Sequence, residues 1–150
     1  MNLTILDTGP VGMISNPNGK PGNARCLRWA QSLVAAGHRV IIPEIADYEV
    51  RRELLRLGKT KGLARLDVLK GVFYYAPLTT DVMLRAAELW ADVRRRGLPT
   101  AAPEALDGDA ILAAQALMAG GPADTVIVAT SNVGHLGRFV DARIWDQIAS

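Results

Sequence analysis

Short, unbroken apolar runs recur along the chain: residues 3–6 (Leu-Thr-Ile-Leu), 40–42 (Val-Ile-Ile), 72–75 and 125–129 (Thr-Val-Ile-Val-Ala), with residues 142–144 as a fifth candidate. Each is far too short to be a helix and carries no polar alternation, so each reads as a strand buried on both faces. Between them lie longer stretches with helical spacing. In one, Cys26, Ala30, Leu33 and Val34 share a face before Gly37. In another, Val82, Ala86, Leu89 and Val93 follow the capping group Thr79-Thr80-Asp81 and end in Arg94-Arg95-Arg96. A third helix runs from about Ala46 to Leu57, and a basic one lies around residues 63–69. Strands alternating with helices predict an α/β fold, a three-layer α/β/α domain around a central, mainly parallel sheet of four to five strands. With 150 residues, and apolar positions spread evenly, residues 1–150 are expected to form a single domain.

The polar residues at the ends of these runs suggest a function. Asp7 closes the first strand, and Thr8-Gly9-Pro10 is read as breaking it into a loop. Glu44 and Glu49 follow the second strand. Asp107 and Asp109 open an almost entirely apolar helix, and Thr130-Ser131-Asn132 follows the fourth strand. In open parallel sheets ligands bind beyond the carboxyl ends of the strands, so all these residues are expected at one crevice. Carboxylates gathered in an apolar setting need a counter-charge, and a hard divalent cation, Mg2+ or Mn2+, supplies it through oxygen ligands.

Within that set, Asp107 and Asp109 lie two positions apart and would diverge on a continuous helix. Asp107 is therefore expected to precede the helix as its N-cap, with Asp109 the metal ligand. The plainer reading, two acids favoured by a helix N-terminus, stays open. Glu49, about a turn into its helix, is preferred to Glu44, which suits a surface turn. His135 is a candidate for substrate contact or loop packing, and His38 for a surface side chain.

Several classes are excluded or disfavoured. A single cysteine, Cys26, permits no internal disulfide and fits a reducing cytosol. No basic leader or membrane-length apolar run is present, so a cytoplasmic protein without membrane attachment is expected. There is no phosphate-cradling Gly-x-x-x-x-Gly-Lys and no Gly-x-Ser-x-Gly elbow. A hydrolase using Asp7 as nucleophile would need a second Asp two residues on, where Gly9 stands. Trp29, Trp90 and Trp145 read as packing residues and not as a platform for bases. The net charge is only +2, but Arg51, Arg52, Arg56, Lys59, Lys61, Arg65 and Lys70 face only Glu53 and Asp67 between residues 51 and 70. That segment is either a solvated helix face or a phosphate-contacting patch.

Taken in order, Leu6-Asp7-Thr8, the segment Pro43-Glu44-Ile45-Ala46-Asp47-Tyr48-Glu49, Asp109 in Asp-Ala-Ile-Leu-Ala-Ala, and Thr130-Ser131-Asn132 before Phe139 resemble the PIN-domain family, and within it the VapC-like toxin ribonucleases. The resemblance spans essentially the whole chain. It implies helices around a parallel sheet and a Mg2+- or Mn2+-dependent endoribonuclease that cleaves RNA phosphodiesters with metal-activated water. It further implies the toxin role in a type II toxin-antitoxin pair, an antitoxin partner and a homodimer. By position it makes Asp7, Glu49 and Asp109 the metal-site acids, with Asn132 at or near a fourth polar position; Asp107 joins the catalytic candidates only through its expected place as the cap beside Asp109. Two departures stand out: Gly9-Pro10 follows Thr8 where relatives often carry Asn, and Asn132 stands where many carry an acid, Asp141 being further along. The alternative is a non-catalytic RNA- or protein-binding module of the same fold with an incomplete metal site.

Overall fold

The structure, a computed structural model, describes residues 1–98 and 102–150. Five strands form one parallel sheet: β1 (Asn2–Leu6), β2 (Arg39–Pro43), β3 (Tyr74–Ala76), β4 (Thr125–Thr130) and β5 (Ala142–Ile144). Their order is β3-β2-β1-β4-β5. β1 is central, paired with β2 through Ile5↔Ile41 and with β4 through Ile5↔Val128. The chain first builds outward through β2 and β3, then crosses back to place β4 on the other side of β1. This reversal leaves a crevice between the carboxyl ends of β1 and β4.

The helices are α1 (Thr8–Ser15), α2 (Pro21–Ala35), α3 (Glu44–Arg56), α4 (Thr60–Val72), α5 (Thr80–Arg95) and α6 (Pro103–Leu117). Because successive strand side chains alternate between faces, Leu6, Val40, Ile42 and Ala129 meet α1 to α4, joined by Val11, Ile14, Leu33, Val50 and Leu66. Leu3, Ile5, Ile41 and Val128 point to the opposite face and pack on Leu112 and Ala116 of α6. α5 lies outside α6, with Val82 and Ala86 against Ala114. The three-layer α/β/α arrangement expected from the strand and helix pattern is present. Among the described residues no helix is long and apolar enough to cross a membrane.

Several local expectations are corrected. Thr8-Gly9-Pro10 does not break the chain into a loop; it begins α1, with Asp7 as N-cap accepting the Thr8 amide. Pro10 is tolerated because amides in a first helical turn have no intrahelical partner to lose. α6 begins at Pro103, ahead of the Asp107 start read from the sequence, so Asp107 lies a turn inside the helix and is not its cap. The expected loop 97–103 lies partly outside the described residues. Val34, assigned to the buried face of α2, is 48% exposed, and Trp90, expected as packing, is 39% exposed on α5. Trp29 and Trp145 do pack, with ring centres 5.4 Å apart.

Candidate functional site

The site is assembled at the reversal of strand order. Asp7, one residue past β1, has both carboxylate oxygens engaged: Oδ1 accepts the Thr8 amide at 2.7 Å, and Oδ2 accepts the Thr130 hydroxyl at 2.7 Å. Thr130 is the last residue of β4 and 1% exposed. Its hydroxyl also accepts the Asn132 backbone amide at 3.2 Å, closing the turn after β4. A buried hydroxyl is costly without partners. Here that need ties the ends of the two central strands together.

Thr8 carries the next link. Its hydroxyl donates to Glu49 Oε1 at 2.8 Å, so one residue at the start of α1 orients Asp7 through its amide and Glu49 through its side chain. On the far side of Glu49, a Cβ added at Gly108 would lie 3.2 Å from Oε2. The absence of a side chain at Gly108 thus lets α6 approach α3. At Gly9, a Cβ would collide with the Ser131 side chain, so α1 likewise begins close against the turn after β4.

Asp109 comes from α6. Its carboxyl is pushed up from the usual 3.8 to about 6, chiefly by burial and further by the negative charges of Asp7 and Glu49, while His135 pulls the other way. Such a shift marks acids that share a field without an adequate counter-charge. Arg52, 3.7 Å from Glu49 Oε2, is the cation paired with this group, and it is more than half exposed. Asp7, Glu49 and Asp109 are therefore brought together, with His135 beside them.

Asp107 is not brought in. About 200° from Asp109 around the helix, it is exposed and borders a hollow with Met83, Ala86 and Trp90 on the α5 side. Its assignment beside the other acids required the helix to begin at Asp107, and α6 begins earlier. Asn132 is exposed at the mouth of the turn, joined to Thr130 through its backbone. Glu44 faces elsewhere and accepts the Leu78 amide at 2.6 Å. Asp141 is paired with Arg143 at 2.9 Å beyond β4.

Two residues hold the site in ways the sequence did not indicate. Thr130 stands in the Thr130-Ser131-Asn132 motif, but its hydroxyl bond to Asp7 was not legible there. Gln115, 3% exposed on α6, donates to the Ala76 carbonyl at 2.7 Å and accepts the Ile45 amide at 3.1 Å. It cross-links α6 to β3 and to the first turn of α3, setting the distance between the helices that carry Asp109 and Glu49. A buried glutamine in an alanine-rich stretch was the available signal.

The donor set is all oxygen and mostly carboxylate, which suits Mg2+ or Mn2+ over softer ions. Among the described residues no three acid, histidine or cysteine side chains form a ready-made cage. A Mg2+ ion keeps several waters and needs only one or two direct carboxylates, so an open acidic crevice fits it.

Beside the site a groove of about 780 Å3 opens, its lining including Thr8 and Glu49, the apolar Leu54 and Leu57, and Lys59 and Lys61. Most of the basic segment is internally compensated. Arg51 binds Asp47 and Asp67, Arg56 binds Glu53, Lys70 reaches Asp47, and Arg65 donates to the Ile14 carbonyl. Lys59 and Lys61 make no ion pair among the described residues.

No protein-family profile matches the chain, and no curated protein sequence does. Solved structures do share its fold. VapBC2 from Rickettsia felis bound to a DNA fragment from its promoter superposes with a TM-score of 0.71 at 16% identity, covering 96% of this chain and 99% of that one. FitAcB from Neisseria gonorrhoeae gives 0.71 at 22% identity over 97% and 99% of the two chains. DNA-bound VapBC from Salmonella typhimurium gives 0.66 at 18% over 97% and 99%. At these identities the likeness is one of fold.

Proposed function

We propose that this chain is a divalent-metal-dependent endoribonuclease of the VapC-like PIN type and the toxin of a type II toxin-antitoxin pair. The observation that carries the reading is the convergence of Asp7, Glu49 and Asp109 at the reversal of strand order, with Asp109 raised to about 6 by burial and by the other two. Likeness of fold over nearly the full chain to VapBC and FitAcB structures supports it. An antitoxin, a second copy of the chain and an RNA substrate are the partners this reading assigns, in the cytoplasm.

Asp7, Glu49 and Asp109 would hold Mg2+ or Mn2+, which when bound supplies an acidified water and charge neutralisation for phosphodiester hydrolysis. The chain's own residues fix the geometry. Thr8 and Thr130 lock Asp7 by donating to its two oxygens, and Thr8 sets the Glu49 carboxylate from the same residue. Asp109, half-buried beside His135, completes the negative crevice. Asn132, exposed at its rim, offers its side-chain amide to a phosphate oxygen, where an acid would repel it. Lys59 and Lys61 give the neighbouring groove positive charge for the flanking backbone.

The test is cleavage of total cellular RNA by purified protein with Mg2+ or Mn2+, alongside Asp7→Asn and Asp109→Asn. Discrete fragments, lost in both variants and in EDTA, are expected; equal cleavage by the variants would overturn the reading. Asn132 at the fourth polar position favours a second reading, a binding module with an incomplete metal site. Calorimetric titration with Mn2+ separates the two, because an incomplete site would bind no better in wild type than in Asp109→Asn.

A further inference from the structure

Tyr48 is 55% exposed and immediately precedes Glu49 on α3. At about 100° per residue, Arg52 falls between them on the helix surface, four residues after Tyr48 and three after Glu49. The side chains follow that geometry. The Arg52 guanidinium lies over the Tyr48 ring, 5.2 Å from its centre, and its Nη2 is 3.7 Å from Glu49 Oε2. One cation thus connects an open aromatic ring to the acid group. Tyr74 and Tyr75 also have cations over their rings, Arg39 and Lys70, but both lie on β3 at the sheet edge, and neither cation contacts an acid of the site.

Tyr48 and the groove occupy opposite flanks of Glu49. Glu53, Leu54 and Leu57 line the groove on one side; Tyr48 and Arg52 stand on the other. The two flanks thus offer different surfaces beside the acids: the groove with Lys59 and Lys61 on one, the Tyr48 ring on the other. An exposed ring held by a guanidinium is the kind of surface on which unpaired bases stack.

We propose that Tyr48, positioned by Arg52, is a stacking platform for an unpaired RNA base flanking the phosphate that a cation at Asp7, Glu49 and Asp109 would hold. The proposal rests on the ribonuclease reading and deepens it with a residue that contacts a substrate base: the ring can be reached only by a base that is unpaired, in a single strand, loop or bulge. A base inside an A-form duplex has both faces covered and gains nothing from Tyr48. Stacking tolerates any base, so Tyr48 selects for unpaired structure and leaves base identity to other contacts.

The test uses single-stranded RNA oligonucleotides carrying 2-aminopurine at successive positions, mixed with the full chain in Ca2+ in place of Mg2+, so that the acids carry a hard cation, over times at which a gel shows the RNA intact. Wild type is expected to quench the fluorophore by stacking at one position, Tyr48→Trp to preserve the quench, and Tyr48→Ala to lose it with a Kd weaker by roughly 5- to 150-fold. Annealing a complementary strand across that position should remove the quench. Equal quench and Kd in Tyr48→Ala, or no quenched position in wild type, would overturn the platform. A parallel cleavage assay with Mg2+ keeps the two claims apart. Tyr48-dependent stacking without cleavage leaves the platform standing and fells the nuclease reading, whereas cleavage indifferent to Tyr48→Ala does the reverse.

Discussion

Asp109 is the residue on which charge, burial and helix position meet. A carboxyl raised to about 6 in the folded chain, from the usual 3.8, holds its proton more tightly when folded than when unfolded. Folding is therefore penalised by this group above pH 6, and the penalty disappears as pH falls below 4. Asp109→Asn removes the penalty, so in EDTA at pH 7 the variant should be the more stable by about 1–2 kcal/mol, allowing for partial exposure to water, and this advantage should vanish near pH 4. Thermal melts across that range measure it. If the proposed metal site holds, adding Mn2+ at pH 7 should reverse the order, since a cation bound by the wild-type acids would stabilise the folded state. Asp7, Glu49 and Asp109 were each identifiable in the sequence from their place after a strand or at the start of an apolar helix. What sequence did not reveal was how they are fixed. The hydroxyls of Thr8 and Thr130 act between elements 41 and 123 residues apart, and nothing in the spacing of those residues indicates such pairs.

At the scale of elements, the site depends on how α6 sits against α3, and Gln115 sets that contact. Gln115→Leu keeps the volume but strands the Ile45 amide and the Ala76 carbonyl without partners. Unpaired buried groups cost about 1–3 kcal/mol each, so with two of them the variant should lose about 2–6 kcal/mol in urea unfolding, well above a typical volume-conserving core exchange. The core strands β1, β2 and β4 were recognisable as short apolar runs between helical stretches, but the run 72–75 was misread in part: Val72 ends α4, and β3 is Tyr74–Ala76 at the sheet edge with Tyr74 55% exposed. Helix starts were less recognisable. Thr8-Gly9-Pro10 has the composition of a turn, yet its proline falls in a first turn, where it costs no hydrogen bond. Asp107 looks like a cap, yet α6 begins at Pro103 and turns Asp107 toward α5. Local composition carries both possibilities, and packing against the sheet chooses between them.

For the whole molecule, the distribution of charge separates binding from stability. Lys59 and Lys61, beside the groove, should contact substrate phosphates, and replacing both with Gln should reduce the salt dependence of single-stranded RNA binding by about 1.4 in log-log slope. Arg51→Gln should leave that slope nearly unchanged. It breaks the bonds to Asp47 and Asp67 and should lower the melting temperature instead, because Asp47 is only 7% exposed. Anisotropy titrations at several salt concentrations, paired with thermal melts, distinguish the two outcomes. The charge run from residues 51 to 70 looked uniform as text, but on α3 and α4 neighbouring acids neutralise most of it.

The sequence by itself determined the layered α/β architecture and marked a wider set of candidate acids, because burial of short apolar runs and the cost of carboxylates at their ends are local properties of the chain. Only the tertiary structure decided which acids meet. The order β3-β2-β1-β4-β5 places Asp7 beside Thr130 across a switch in direction that no periodicity encodes. The early start of α6 sends Asp107 away and Asp109 inward, and the close approach at Gly108 brings Glu49 to the same crevice. Tyr48 acquires its significance in the same way. Beside Glu49 in the sequence it is one aromatic among several, and only the Arg52 side chain lying between the two joins it to the site.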